Sequence, residues 1–250
     1  MSSPGSLRYR ARQVVRRRVA ENGPVRWLRW ARGSATHTPV VLRNALALAG
    51  EIRTVIDVGA SDGRWTARYR SMLPEASFLL FEANPVHHRR LNRYAARAGV
   101  HVEHSAASDR VGEVNFLADP GNPLGGAASS VGFDRHNIKA PTKQIDEAVR
   151  ERNLVGPFFL KLDTQGHERE ILAGAKQVLE ETSLLFIEAY GVDDPGRMAF
   201  DELCALLRER GFRTAGIADP VNRPSDGILW QMDLAFIRDS HPAFLDTNYH

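Results

Sequence analysis

Four carboxylates close apolar runs along this chain, each placed where a ligand could meet it. Asp57 stands at the end of the run 54–58, Glu82 ends 77–82, Asp163 ends 158–163 and Glu188 ends 184–188. Such groups can accept hydrogen bonds from paired hydroxyls, meet an ammonium, or take a proton from a reacting atom.

Asp57 is followed by Gly59, Ala60, Ser61 and Gly63. Gly59 permits a tight turn and close approach of a ligand, and Gly63 lets a helix begin beside it. The dinucleotide pattern G-x-G-x-x-G needs a glycine where Ala60 and Ser61 stand, because its pyrophosphate rests on main-chain amides. An acid-x-Gly-x-x-x-Gly turn suits S-adenosylmethionine better. That molecule has no phosphate, and it needs a carboxylate such as Asp57 near its ammonium and room for its amino-acid tail. Glu82, followed by Ala83, lies about twenty residues past the turn, where an acid accepts hydrogen bonds from both ribose hydroxyls. It reads equally as a partner for the helix starting at Asn84-Pro85. Ser108 or Asp109 could meet the adenine amino group.

Methyl transfer from a sulfonium is an in-line displacement, so the protein chiefly brings the acceptor oxygen to about 3 Å on the far side of the methyl. An alcohol must also lose its proton, which a nearby base assists. His167 titrates near neutrality and is the natural base by residue type. Asp163 could position the acceptor, take its proton or bind the cofactor's amino group. Glu188 shares that rim, with an ion pair to Lys161 as its other reading. Glu168 serves the site or simply caps a helix start. His136, in a turn-rich stretch, could contact the acceptor. No Asn/Asp-Pro-Pro-Tyr signature follows the fourth strand, which argues against methylation of exocyclic base amines. No metal site is expected.

The elements that must hold these residues follow from the apolar pattern. Strands are predicted at 54–58, 77–82, 100–104, 158–163, 184–188, 214–218 and 234–237, with helices near 64–72, 85–98, 142–153, 167–180 and 197–210. Continuous apolar strands alternating with helices make a mostly parallel, doubly wound α/β sheet, closed by an antiparallel edge hairpin. Residues 119–141 break the alternation and are expected to form a loop, a lid over the substrate.

The chain has 250 residues, 43% hydrophobic and 25% charged, an ordinary globular composition. A single cysteine, Cys204, rules out internal disulfides and points to a reducing cytoplasm. No secretory signal and no apolar run of about 20 residues is present. Residues 1–35 carry nine arginines against Glu21, while the remainder has 24 basic and 29 acidic side chains. A mildly acidic body argues against a nucleic-acid face. The basic arm reads as amphipathic helices packed on the domain or on a partner subunit of a homo-oligomer, or as a peripheral anchor on the anionic inner face of a membrane. The expected division is an arm at 1–50, a domain at 51–240 and a tail at 241–250.

Together, Asp57-Val-Gly-Ala-Ser-Asp-Gly63, Phe81-Glu-Ala-Asn-Pro85, Ala106-Ala-Ser-Asp109, Ser129-Ser130 and Leu160-Lys-Leu-Asp-Thr-Gln-Gly-His-Glu168 resemble the FkbM-type methyltransferases over roughly residues 52–240. Ser61 replaces an asparagine common in that family. The resemblance implies a Rossmann-like class I methyltransferase fold and S-adenosylmethionine-dependent O-methylation of a small-molecule, sugar or glycolipid hydroxyl, with Ser129, Ser130 and Glu168 on the substrate side. An NAD-dependent oxidoreductase is the second enzyme reading, weakened by the missing glycine. A non-catalytic S-adenosylmethionine-binding or membrane-associated module is the third, and would bind the cofactor without turnover.

Overall fold

The computed structural model describes residues 38–97, 99–192 and 196–248; residues 1–37, which carry the basic part of the arm, lie outside them, while the arm's last stretch is described as a helix, Thr38–Ala49. Seven strands form the main sheet. β1 (Thr54–Val58), β2 (Ser77–Phe81), β3 (Val100–Glu103), β8 (Phe158–Leu162) and β9 (Thr182–Tyr190) run parallel, while β11 (Leu229–Arg238) is antiparallel to both β9 and β10 (Phe212–Asn222). The spatial order is β10-β11-β9-β8-β1-β2-β3. This is the mostly parallel sheet with an antiparallel edge hairpin expected of a Rossmann-like class I methyltransferase fold.

Every residue of β1 and β8 is buried, because helices cover both faces. One face packs Ile56, Leu160 and Ile187 against α4 (Ile145–Glu151), α5 (Glu168–Ala173), α6 (Lys176–Glu180) and α7 (Phe200–Glu209). The other packs Val55, Phe78 and Phe159 against α1 (Thr38–Ala49), α2 (Arg64–Tyr69) and α3 (Pro85–Ala95), through Leu42, Tyr69 and Leu91. Among the described residues no helix is long and apolar enough to cross a membrane.

Two expectations are corrected. The stretch 119–141 is not all loop: it contributes β6 (Ala127–Ser129) and the start of β7 (Asn137–Lys143) to a second sheet, ordered β4-β7-β5-β6, with β4 (Ala106–Ala107) and β5 (Gly112–Leu117). Pro141 hides β7 in the sequence. It is tolerated because β4 pairs with β7 only at Thr142 and Lys143, leaving Pro141 clear of that ladder. The helix expected over 167–180 is split into α5 and α6 at Gly174, where a Cβ would lie 1.9 Å from the carbonyl oxygen of Ser108.

Candidate active site

Strand order places β1 between β8 and β2, so the tips of these three strands form one floor. At its centre Gly59 turns with φ 75°, and a Cβ there would lie 2.0 Å from the carbonyl oxygen of Asp163. Only glycine lets the β1 turn and the β8 tip come so close. Gly63, with φ 78°, caps the start of α2.

Glu82 stands on the β2 side, 6% exposed. One carboxylate oxygen accepts from the main-chain nitrogen of Ser61 at 2.6 Å and the other from that of Asn84 at 2.6 Å. Burial pushes its pKa above the ordinary range, opposed by these two hydrogen bonds. Each oxygen keeps a lone pair, so a diol can still bind. Ser61 adopts φ 51°, a conformation in which asparagine is more at ease than serine, and the bond from Glu82 holds it there.

Asp57 was expected to meet a ligand ammonium, but its place is beneath the turn. It is wholly buried, and its oxygens accept from Lys161 Nζ at 2.7 Å and from Thr66 Oγ1 at 2.6 Å. The carboxylate that reaches the cavity on this side is Asp163, whose side chain is 47% exposed.

Between Glu82 and Asp163 lies a cavity of about 550 Å³, its open mouth included. Its walls include Gly59, Ser61, Ala83, Ser105, Phe116 and His167. Pro123, Leu124 and Gly126 close it from the stretch read as a lid. The main-chain carbonyl of Pro123 accepts from His87 Nε2 at 2.9 Å and from Asn84 Nδ2 at 3.3 Å, which ties this stretch to the start of α3. The stretch read as a lid therefore forms a wall of the cavity. Ala83, Ala106, Ala107, Phe116 and Ile171 supply apolar lining to the same cavity as Glu82.

His167 lines the same cavity. Its Nε2 lies 2.9 Å from Ser108 Oγ and its Nδ1 3.4 Å from Glu170. Burial pulls its pKa below the ordinary value, with Glu170 and Asp109 opposing. Gln165, Gly166 and His167 all have positive φ, at 55°, 131° and 71°, a strained loop of the kind found at functional sites. Glu168 braces it: the buried carboxylate accepts from Gly166 N at 2.7 Å and Met198 N at 3.3 Å.

The remaining expected residues lie off the cavity wall. Ala60, Ser108 and Asp109 are not among the residues that line it. Ser129 Oγ accepts from Val131 N at 3.2 Å, the carbonyl of Ser130 accepts from Asn115, and His136 lies 3.7 Å from Asp119; Ala128 is the β6 residue that faces inward. Glu188, half-buried on β9, does not line the cavity; it is hydrogen-bonded to Tyr190 Oη and accepts from Gln231 Nε2 at 2.6 Å. Burial, with the charge of Asp163 adding, pushes it up to about 8. Sequence reasoning missed Asn84 and His87 as clamps and Lys161 as the partner of Asp57 and Asp163, although Asn84 and Lys161 stand inside motifs it had singled out.

Residues 57–214 match the family described as the methyltransferase FkbM domain, and the chain belongs to that family. Among its relatives are a 2-O-methyltransferase, NoeI, of Sinorhizobium fredii, 26% identical over 154 residues, and a hexuronic acid methyltransferase, AglP, of Haloferax volcanii, 24% identical over 192 residues. The first match covers 54% of this chain and 62% of NoeI, less than two thirds of its length; the second covers 76% and 74%. In solved structures, the Burkholderia thailandensis 1,6-didemethyltoxoflavin-N1-methyltransferase, with S-adenosylhomocysteine bound, aligns over 95% of this chain and 91% of that one, at 16% identity and a TM-score of 0.44. So loose a likeness carries no weight beside the strand order and the family match.

Proposed function

We propose that this chain transfers a methyl group from S-adenosylmethionine to a hydroxyl of a small molecule, sugar or glycolipid. One observation carries the reading: Glu82 and Asp163 flank the Gly59 turn on opposite sides of a single cavity. Glu82 receives the ribose hydroxyls, the slot around Phe116 takes the adenine, and the amino-acid end passes over Gly59 toward the β8 tip. The names of NoeI and AglP, a 2-O-methyltransferase and a hexuronic acid methyltransferase, favour a sugar among the acceptor classes.

The cofactor supplies a methyl already activated on a sulfonium. The chain's task is alignment of the acceptor oxygen and removal of its proton. Of the three residues nominated for the proton, Glu188 does not reach the cavity and His167 is engaged with Ser108. Asp163 remains. As the new oxygen–carbon bond forms and the sulfur–carbon bond breaks, the hydroxyl becomes strongly acidic, so a carboxylate suffices to take its proton.

The test is incubation with methyl-labelled S-adenosylmethionine and a panel of sugars, uronic-acid glycans and hydroxylated lipids. Alkali-stable label on an acceptor supports an ether at a hydroxyl. Alkali-labile label marks a carboxyl acceptor and contradicts the hydroxyl reading.

A further inference from the structure

Among the described residues Lys161 is the one lysine or arginine that is buried, 3% exposed. An ammonium has three protons to give, and three oxygens stand around this one: Asp57 Oδ1 at 2.7 Å, the Gly59 carbonyl at 3.5 Å and Asp163 Oδ2 at 3.6 Å. The indole of Trp65 faces it, with the ring centre 5.4 Å away. The contacts are unequal in kind. Asp57 is sealed in and Gly59 is main chain, whereas Asp163 is half exposed to the cavity.

A half-exposed aspartate at the end of a strand ordinarily samples several rotamers. Here two further acids press on it from the neighbouring strands. Glu188 on β9 and Asp233 on β11 face each other in register and are pushed up to about 8 and about 7, by burial first and by the charge of Asp163 next. Asp163 therefore has on one side two carboxyls that its own charge helps to keep protonated, and on the other the Lys161 ammonium. Burial alone would lower Lys161, but Asp57 and Asp163 outweigh it and hold the ammonium charged.

We propose that Lys161 is a positioning residue: anchored by Asp57 beneath the glycine turn, it fixes the Asp163 carboxylate at the point where the methyl is transferred. The inference rests on the methyltransferase reading and adds to it the residue that sets the geometry of the proton acceptor. It also explains why Asp57, unable to touch a ligand, stands in the motif: it holds the cation that holds the reacting acid.

Calorimetry with two cofactor analogues tests this without the acceptor. Sinefungin carries an amine at the position of the transferred methyl, and S-adenosylhomocysteine carries nothing there. A carboxylate fixed at that point should make the wild-type chain prefer sinefungin by about tenfold, the worth of one charge-assisted hydrogen bond. The ratio of the two affinities should fall toward one in Asp163→Asn and in Lys161→Met. Should Lys161→Met fail to fold, the Asp57→Asn/Lys161→Met pair, which leaves no buried charge unpaired, carries the same test. With only four lysines in the chain, the Lys161 ammonium resonance can be assigned by its loss in the variant, and it should move with sinefungin more than with S-adenosylhomocysteine. A wild-type ratio near one, an unchanged ratio in Asp163→Asn, or equal weakening of both ligands in the Lys161 variants would overturn the proposal. Failure of the wild-type chain to bind either analogue would instead overturn the methyl-donor reading itself.

Discussion

The carboxylate of Glu82 accepts a 2.6 Å hydrogen bond from the main-chain nitrogen of Ser61, so the tip of β2 is bonded directly to the turn that follows β1. Its second oxygen holds Asn84 at the start of α3 in the same way. One buried acid thus shapes two loops of the cavity and still offers lone pairs to a ligand. Binding and local order are therefore coupled at this residue, and a variant there is to be read by both.

Gly59→Ala should remove the site rather than tune it. The new methyl would overlap the Asp163 carbonyl at 2.0 Å, at a φ of 75° that alanine adopts with strain. A loss of at least about 2 kcal/mol in unfolding free energy is expected, together with loss of cofactor binding. Urea unfolding measures the first. A variant as stable as the parent would show that the two tips do not meet.

Stability should fall with rising pH through Glu188 and Asp233. Both are raised by burial, to about 8 and about 7, against about 4 for free carboxyls. Above about pH 4 the unfolded chain releases protons that the fold retains, so stabilisation present in acid is lost as the pH rises through both values. Glu188→Gln removes its share, and its unfolding free energy should fall less steeply than that of the parent between about pH 5 and about pH 9. Parallel profiles would mean that Glu188 is ionised in the fold.

His167→Ala should weaken S-adenosylhomocysteine and 5′-methylthioadenosine by the same factor, about three- to tenfold, the worth of an ordinary hydrogen bond or somewhat more. Both ligands carry the adenosine that the proposed function places in this cavity, whose wall includes His167, bonded to Ser108. Full binding of both ligands with loss of turnover alone would return His167 to the role of base.

The main sheet was legible because its strands are continuous apolar runs, and β1 and β8 are buried along their whole length. The second sheet was not. β5 and β7 expose alternate residues, and Pro141 and the glycines around 121–132 read as turns. Within the site, residue type and strand-end position located Glu82, Asp163 and His167 on one cavity. They could not say which acid points up into the cavity and which points down under the turn. Asp57 and Lys161 are register neighbours on adjacent strands, and that pairing exists only once β1 and β8 lie side by side. Ser129, Ser130 and His136 were drawn toward the acceptor by motif and loop composition, and neither carries information about the direction a side chain takes in β6 or beyond it.

Titration of S-adenosylhomocysteine into the parent chain and into Glu82→Gln is the most direct measure of the cavity's purpose. The parent should give a saturable heat at one site per chain. The variant, still folded by thermal melting, should bind at least about tenfold more weakly, because an amide cannot accept from Ser61, Asn84 and two hydroxyls at once. A folded parent that gives no heat, or a variant that binds as the parent does, would contradict the assignment of this cavity to the methyl donor.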